Sequence, residues 1–425
     1  MGVSVSQRLI SFVGLLAMVG IAWLLSRHRD RVSWRLVGWG VGLQLTFGVL
    51  VMKTAAGLWM FSLLNDVVLA LLGFTAKGTE FIFGEFASEK FTIAINVLPT
   101  LIFFSALMTM LYHLGLMQRL VSGFAWIMRR TMRTSGSETL ATAANTFVGQ
   151  TEAPLMVAPF IKGMTQSELA AVMTGGFATV AGGVLAAYVG LLDRVIPNIA
   201  GHLIAASVMS APAALVIAKV MWPETEESET AGEATVEVGR PDVNLIDAAA
   251  RGATEGMKLA LNVGAMLIAF IALIALANAL IGLPFELYND WMGFEGARAM
   301  EPWTMQKILG WIFWPFAFLI GVPVSECSIV GTLLGEKLVL TEFIAYLHLY
   351  ESLSTDVAAL SPRTVVIASY ALCGFANFGS IGIQLGGIGG IAPERRHDLA
   401  RLSVRAMFGG MLASLMTASV AGILY

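Results

Sequence analysis

The stretch "VGQTEAPLMVAPF", residues 148–160, interrupts an apolar segment with a polar trio and two prolines. A charged side chain at mid-membrane costs about 2.5 kcal/mol or more. Irregular backbone at that depth is tolerated only where it faces protein or water. The tip of a re-entrant hairpin meets both conditions, because Gly149 allows a turn and Thr151 can cap the helix that restarts behind it. The stretch therefore predicts a re-entrant hairpin whose polar tip faces a cavity.

Composition places this hairpin in a membrane protein. The chain has 425 residues, of which 57% are hydrophobic and 13% charged, whereas a soluble domain carries about 25% charged residues. The mean hydropathy is +0.76. These values predict an all-α polytopic membrane protein. The formal net charge of -3 does not indicate a nucleic-acid surface, so we expect no nucleic-acid partner.

Long apolar runs recur from one end of the chain to the other. Eight of them approach the roughly 20 residues that a transmembrane helix needs. They lie at residues 9–25, 36–52, 93–112, 167–192, 200–221, 257–282, 364–390 and 402–424. Residues 56–74 are also apolar but carry Asn65 and Asp66 near their centre. We expect this segment to form a helix that lies in the membrane interface.

Basic residues define the orientation of these spans. They cluster in alternate loops, as in "RHRDRVSWR" (residues 27–35) and "ERRHDLARLSVR" (residues 394–405), which places the N-terminus outside. The charge bias holds only if residues 136–163 and residues 306–345 each enter and leave on one side. These two segments are therefore predicted to be opposed re-entrant hairpins, the first entering from inside and the second from outside.

An internal repeat connects the two hairpins. Residues 136–221 comprise a hairpin, a glycine-rich span and a further span, and residues 306–424 repeat that order. Because the hairpins enter from opposite faces, the repeat has inverted topology. Inverted repeats with broken helices are typical of secondary transporters, whose binding site lies near the membrane midplane.

The polar residues of the two units suggest what such a site binds. Gln150, Thr151 and Glu152 offer an amide, a hydroxyl and a carboxylate, which suit the polar edge of a nucleobase or a similar heterocycle.

The second hairpin carries "VPVSECSIVG", residues 322–331. Pro323 breaks the helix, and a carboxylate at Glu326 could accept two hydroxyl hydrogen bonds from a sugar. Asn377 and Ser380 lie one helical turn apart on the same face. A structural alternative for the glutamates is a salt bridge to a buried base, for which Lys337 is the candidate.

A cation site is predicted beside the first hairpin. Asn145 offers a side-chain carbonyl, and Thr179 offers a hydroxyl within "GGFATVAGG", whose glycines favour unwinding. Unwound carbonyls at half-helix ends supply the oxygen ligands of coupling ions in transporters. Helix packing through small residues is the alternative explanation for this pattern. The sequence contains no nucleophile–base pair or metal-site motif, so we do not expect an enzyme.

The domain organisation follows from these elements. Residues 223–242 carry seven acids and one arginine and are expected to form a disordered inner loop. Five segments result, in order scaffold helices with the interfacial helix, first hairpin with two spans, acidic linker, scaffold span, and second hairpin with two spans. Their bounds are residues 1–134, 135–222, 223–244, 245–299 and 300–425.

Five long motifs resemble those of the concentrative nucleoside transporter family, and the compact length is similar to that of its bacterial members. They are "GQTEAPLMVAPFIKGMTQSE", "AGGVLAAYVGLLD", "LALNVGAMLIAFIALIALAN", "SECSIVGTLLGEKLVLTEFIAYLHL" and "CGFANFGSIGIQLGGIGGIAPERRHDLA". The resemblance implies a homotrimer of protomers with eight transmembrane helices and two opposed hairpins. It also implies an elevator-type transporter, in which a scaffold holds a mobile transport domain made of residues 135–222 and 300–425.

The resemblance further implies sodium-coupled import of nucleosides, for example uridine, across the inner membrane. Sodium is the coupling ion, and no organic cofactor is implied. The implied residues for the base are Gln150, Thr151, Glu152 and Val184. Those for the ribose are Glu326, Phe375, Asn377 and Ser380. Those for sodium are Asn145, Val148, Thr179 and Val180.

Two alternatives remain at the level of the sequence. The first is a proton-coupled symporter on the same fold, in which a glutamate carries the proton. The second is a passive channel, because two hairpins that meet at mid-membrane also occur in channels. A channel would give flux without saturation and without accumulation against a gradient.

Overall fold

The computed structural model describes residues 5–89, 92–231, 242–293, 300–355 and 359–425, and every regular element within these ranges is helical. Four short non-α helical turns accompany the α-helices in these ranges: Arg29–Arg31, Ile93–Val97, Ala153–Val157 and Pro393–Arg395. The α-helices are α1 Val5–Leu24, α2 Trp34–Lys53, α3 Ala55–Phe83, α4 Phe86–Glu89, α5 Leu98–His113, α6 Leu116–Met132, α7 Gly136–Asn145, α8 Ala158–Ile161, α9 Gln166–Ala178, α10 Gly182–Leu192, α11 Ile199–Met221, α12 Leu245–Met292, α13 Met305–Leu319, α14 Cys327–Val339, α15 Glu342–Thr355, α16 Pro362–Leu372, α17 Phe378–Ile391 and α18 Arg396–Leu424.

The helices confirm the predicted all-α polytopic fold. Eight helical stretches of the described chain are long and apolar enough to cross a membrane. Seven of them coincide with predicted spans, and the eighth is α3, which the sequence assigned to the interface. The predicted span 364–390 is instead split into α16 and α17. Length and composition do not separate a spanning helix from an interfacial one, so the interfacial location of α3 stays a prediction.

The core consists of the helices that follow the hairpins. The apolar windows of α9–α10, α11 and α18 are 83%, 89% and 83% buried, whereas those of α3 and α12 are 11% and 17% buried. Helix α5 packs along α12, while α1 packs along α18 and α2 along α11. The first two helices therefore lie against the predicted transport domain. The assignment of residues 1–134 to a scaffold stays a prediction.

The first hairpin is a regular arm followed by an irregular one. Helix α7 begins with a capping box, in which the Glu138 carboxylate accepts the Ser135 amide at 2.9 Å. After the tip, the chain returns through the 3-10 turn Ala153–Val157 and the single turn of α8. Proline at the start of each short piece removes a backbone donor, which prevents a continuous second arm.

The second half of the chain reverses twice where the sequence predicted one hairpin. Helices α13 and α14 are antiparallel, since the Thr332 hydroxyl donates to the Gln306 carbonyl at 3.1 Å. Helices α14 and α15 are also antiparallel, since His348 Nδ1 lies 2.8 Å from Glu336 Oε2. Twelve residues of continuous helix would separate that last pair by about 18 Å.

The predicted bounds of the second hairpin, 306–345, are therefore wrong. The second reversal lies at residues 340–341, where Leu340 adopts φ -106° and ψ -99°. Thr341 then accepts the Ile344 amide at 3.4 Å and starts α15. Neither glycine nor proline occurs at this turn, so no helix-breaking residue in the sequence predicts it.

The predicted acidic linker is not disordered over its first part. Glu224 accepts the ammonium of Lys219 at 3.1 Å, and the Ser228 hydroxyl donates to Glu168 at 2.5 Å. These contacts hold the segment that follows α11 against the base of the first hairpin. They pair polar groups that would otherwise be buried without partners. The remainder of the linker, residues 232–241, lies outside the described residues.

Candidate functional site

Two broken helices cross at the centre of the fold. One break separates α9 from α10, and the other separates α16 from α17. The Phe375 amide of the second break donates to the Thr179 carbonyl of the first at 3.3 Å. Gly374 has φ +138°, and a Cβ there would stand 2.9 Å from the Ala178 carbonyl oxygen. Only glycine permits this approach, which brings four half-helix ends together.

The tip of the first hairpin lies against this crossing. The Gly182 amide, at the start of α10, donates to the Phe147 carbonyl of the tip at 3.1 Å. A Cβ at Gly176 of α9 would be 3.0 Å from the Gln150 Cβ. The hairpin therefore closes one side of the space between α9, α10 and α17.

The residues predicted for a cation gather at the end of α7 and at the first break. Asn145 is fully buried, and no described residue offers a hydrogen-bond partner to either atom of its side-chain amide. The Thr179 hydroxyl donates to the Gly175 carbonyl at 3.0 Å, which leaves its lone pairs available. Val148 and Val180 are 5% and 1% exposed.

An unpaired buried amide costs about 1–3 kcal/mol. A monovalent cation bound by its oxygen would satisfy the acceptor of this amide. The oxygens of this set are neutral, and within the described ranges no group of three or more His, Cys, Asp or Glu residues could hold a metal ion. A neutral oxygen set suits sodium better than a transition metal, because hard cations take oxygen ligands.

Gln150 and Thr151 of the first tip face α17. The Gln384 side-chain amide donates to Gln150 Oε1 and to the Met173 carbonyl, both at 3.0 Å. A Cβ at Gly387 would lie 2.7 Å from the Thr151 methyl. Glu152 is exposed and accepts the Gly149 amide at 3.1 Å. The predicted set therefore stays together.

The fourth residue of that set, Val184, belongs to α10 and is 5% exposed. It lies two residues after Gly182, where α10 begins beside the hairpin tip. Its apolar side chain is thus carried on the half-helix that borders the same space.

Asn377 and Ser380 start α17. Asn377 Oδ1 accepts the Ser380 amide at 2.8 Å and caps the helix. The Asn377 side-chain amide donates to Glu342 Oε2 at 2.8 Å, and the Tyr188 hydroxyl donates to Glu342 Oε1 at 2.7 Å. The carboxylate that accompanies Asn377 and Phe375 in the second break is thus that of Glu342, from the turn between α14 and α15.

Glu326 lies elsewhere, so the structure does not bring it together with Asn377 and Ser380 as the sequence predicted. Its carboxylate accepts the amide and the hydroxyl of Ser361 at 3.2 and 3.1 Å. Ser361 caps the start of α16, whereas Asn377 follows its end, and the 11 residues of α16 span about 16 Å. The prediction chose Glu326 because it follows the helix-breaking Pro323. The turn that reaches the crossing is instead the next one along the chain, at residues 340–341.

Four residues at or beside this crossing were not predicted from the sequence. Thr341 and Glu342 repeat the Thr–Glu pair of the first tip, which is the signal that an inverted repeat should have offered. Gln384 is a lone amide in the run "FGSIGIQLGGIGG". Tyr188 carries no sequence signal beyond its place in an apolar helix. Lys337, the candidate salt-bridge partner, donates to the Ala371 carbonyl at 2.8 Å, near the end of α16 where the helix dipole favours a cation.

Models of known families match almost the whole chain. "Na+ dependent nucleoside transporter N-terminus" matches residues 13–86. "Na+ dependent nucleoside transporter C-terminus" matches residues 202–422. Between them, a model described as "Nucleoside recognition" matches residues 94–195. The Asn145 amide and the first tip fall within this middle match.

Individual relatives agree with the family models. The chain is 43% identical over 414 residues to "Uncharacterized transporter YutK" of Bacillus subtilis (strain 168), covering 97% of this chain and 98% of that protein. It is 42% identical over 432 aligned positions to "Sodium/nucleoside cotransporter 1" of Mus musculus, covering 99% of this chain and 64% of that protein. The chain therefore spans less than two thirds of the length of this mammalian relative.

Solved structures show the same fold. The chain superposes on CNTnw in an inward-facing substrate-bound state with a TM-score of 0.89 at 42% identity, covering 98% of this chain and 97% of that chain. It superposes on a CNTnw variant in an outward-facing state with a TM-score of 0.90 at 41% identity, covering 99% and 98%.

Proposed function

Because the chain belongs to the family of Na+-dependent nucleoside transporters, we propose that it imports nucleosides by sodium symport across a bacterial inner membrane. The observation that carries this proposal is the unpaired, fully buried amide of Asn145 beside the crossing of the two broken helices. A coupling ion gives that amide the partner it lacks. The same crossing gathers polar groups of the kinds that bind a nucleobase and a sugar.

Sodium is held by the side-chain oxygens of Asn145 and Thr179 and by the backbone carbonyls of Val148 and Val180. These atoms belong to the first hairpin and to the first break. A cation between them fixes the tip against α10 and therefore orders the base-binding residues before the nucleoside arrives. Linkage requires that the nucleoside tighten sodium binding by the same factor.

The nucleoside lies between the two tips. Gln150, Thr151 and Glu152 bind the polar edge of the base, and Val184 packs on its face. The ribose hydroxyls are accepted by Glu342, together with Asn377 and Ser380, and Phe375 lines the pocket. Glu342 takes the role predicted for Glu326, because its carboxylate accepts the side-chain amide of Asn377.

Transport follows an elevator mechanism in a homotrimer. The central helices move with both hairpins, and α5 and α12 hold them in the trimer. Support for the scaffold role of α12 is its 48-residue length together with an apolar window of which only 17% is buried in the protomer. Such an apolar helix needs lipid or other protomers as partners. The chain acts as a carrier and performs no covalent chemistry.

Uptake of radiolabelled uridine into proteoliposomes tests the proposal. An inward sodium gradient should drive saturable accumulation against the uridine gradient, and an inward proton gradient alone should not. Accumulation with protons alone would replace sodium by protons as the coupling ion. Flux that neither saturates nor accumulates uridine under either gradient would overturn the carrier in favour of a channel.

A further inference from the structure

We propose that Tyr188 is a positioning residue that links the sodium-binding break to the carboxylate that binds the ribose. This inference rests on the proposed function and names one physical route by which sodium raises nucleoside affinity. Its basis is a hydrogen bond between the two repeats, from the Tyr188 hydroxyl of α10 to Glu342 Oε1 at 2.7 Å.

The first link is the start of α10. That helix begins at Gly182, two residues after Val180, and its first amide is bonded to the Phe147 carbonyl of the hairpin tip. A cation held by both the tip and the break therefore sets the position of α10. Tyr188 lies six residues farther, about 9 Å along a rigid helix, so a displacement of the helix start moves its hydroxyl as well.

The second link is the burial of the tyrosine. Tyr188 is fully buried, with its ring centroid 4.6 Å from that of Tyr346 and 5.7 Å from that of Phe343. Both neighbours belong to α15, the helix that Glu342 begins. The ring is therefore held against that helix, and its hydroxyl is directed at the carboxylate.

The third link is the carboxylate itself. Glu342 is 5% exposed. Asn377 donates to one of its oxygens and Tyr188 to the other, so its orientation depends on both repeats at once. The lone pairs left for ribose hydroxyls point where these two donors set them. Without Tyr188, one oxygen loses its donor and the carboxylate can rotate about its terminal bond.

The test compares two conservative variants, Tyr188→Phe and Tyr346→Phe. Tyr346 is equally buried in the same cluster, but its hydroxyl donates to the Ser369 carbonyl at 2.8 Å. Calorimetry gives the dissociation constants of uridine and of 2′,3′-dideoxyuridine with and without sodium. Tyr188→Phe should weaken uridine binding in sodium about tenfold, the size expected for one hydrogen bond to a charged group. It should leave dideoxyuridine binding nearly unchanged and reduce the sodium-induced gain for uridine. Tyr346→Phe should retain the wild-type gain.

Three results would overturn the inference. They are an unchanged sodium-induced gain in Tyr188→Phe, an equal loss in both variants, and an equal weakening of uridine and dideoxyuridine. Should Tyr188→Phe fail to fold, the wild-type protein still decides: its sodium-induced gain must be larger for uridine than for dideoxyuridine, and equal gains would contradict the link. A wild-type uridine affinity that ignores sodium would instead overturn the proposed function.

Discussion

Asn145 is the residue at which the proposed ion site can be tested most directly. A fully buried amide with neither atom paired is unusual, because most buried polar groups have partners. The adjacent Thr146 hydroxyl is unpaired as well. The two neighbours differ in what they can offer, since only Asn145 is expected to ligate the ion.

Replacing Asn145 by alanine should abolish stabilisation by sodium. In the wild-type protein, saturating sodium should raise the melting temperature, because a ligand that binds only the folded state stabilises it by mass action. Asn145→Ala should show no such rise, whereas the matched control Thr146→Val should keep it. Differential scanning fluorimetry in sodium and in choline measures both. A full sodium-dependent rise in Asn145→Ala would remove this residue from the ion site.

Glu342 and Glu326 provide a second comparison between residues of one type. Glu342→Gln should weaken uridine binding about tenfold or more, since it loses a charge-assisted hydrogen bond to the ribose. Dideoxyuridine binding should change little. Glu326→Gln should leave both affinities near the wild-type values, because its carboxylate bonds to Ser361 at the far end of α16. The opposite ranking of the two variants would restore Glu326 as the sugar ligand.

At this scale the sequence predicted one half of the site better than the other. The first trio follows a glycine and precedes a proline, so the turn and its polar residues coincide. The second tip has neither breaker, and its glutamate follows Thr341 in an otherwise helical run. A buried side chain such as Tyr188 acquires a partner only from the packing of distant segments, which a single sequence does not contain.

At the scale of elements, the base of the first hairpin is fixed by buried charge. Lys219 of α11 lies 2.7 Å from Glu138 of α7 and 3.1 Å from Glu224 of the linker. The side chains of Lys219 and Glu138 are 8% and 2% exposed. The regular arm of the hairpin is thus tied to the central helix α11.

Lys219→Met should destabilise the protein strongly. Removing one member of a buried ion pair leaves the other charge uncompensated and typically costs about 3–5 kcal/mol. The matched control is Lys162→Met, since the Lys162–Glu394 pair is 3.5 Å long with side chains 78% and 46% exposed. An exposed pair contributes about 0–1 kcal/mol. Unfolding of the purified protein in detergent should separate the two variants, and equal stability would refute the account of the hairpin base.

Element positions were more predictable than element boundaries at the breaks. The apolar runs located seven of the eight long helical stretches, because a membrane imposes length and hydrophobicity on each. The span 364–390 failed as a single helix, because the break at Gly374 depends on close contacts with Ser414 and Ala178, which belong to other segments of the chain. The second unit also contains α15 as a separate helix, whereas the sequence analysis did not separate α15 from the preceding helix.

At the scale of the whole molecule, the two units of the inverted repeat are expected to be energetically coupled. In the proposed function, the first unit supplies the ion ligands and the base site, and the second supplies Glu342 and Asn377. They meet through the Thr179–Phe375 backbone contact and the Tyr188–Glu342 hydrogen bond. We therefore expect a ligand that orders one unit to change the ligand affinity of the other unit through these two contacts.

Calorimetric titration of uridine into the purified protein over a series of sodium concentrations tests this coupling most directly. We expect the uridine dissociation constant to fall as the sodium concentration rises and then to level off. The overall gain in uridine affinity should be about 5–150-fold, the usual range for coupled sites. Choline at equal ionic strength should not reproduce the gain. A uridine dissociation constant that is the same in sodium and in choline would contradict the account.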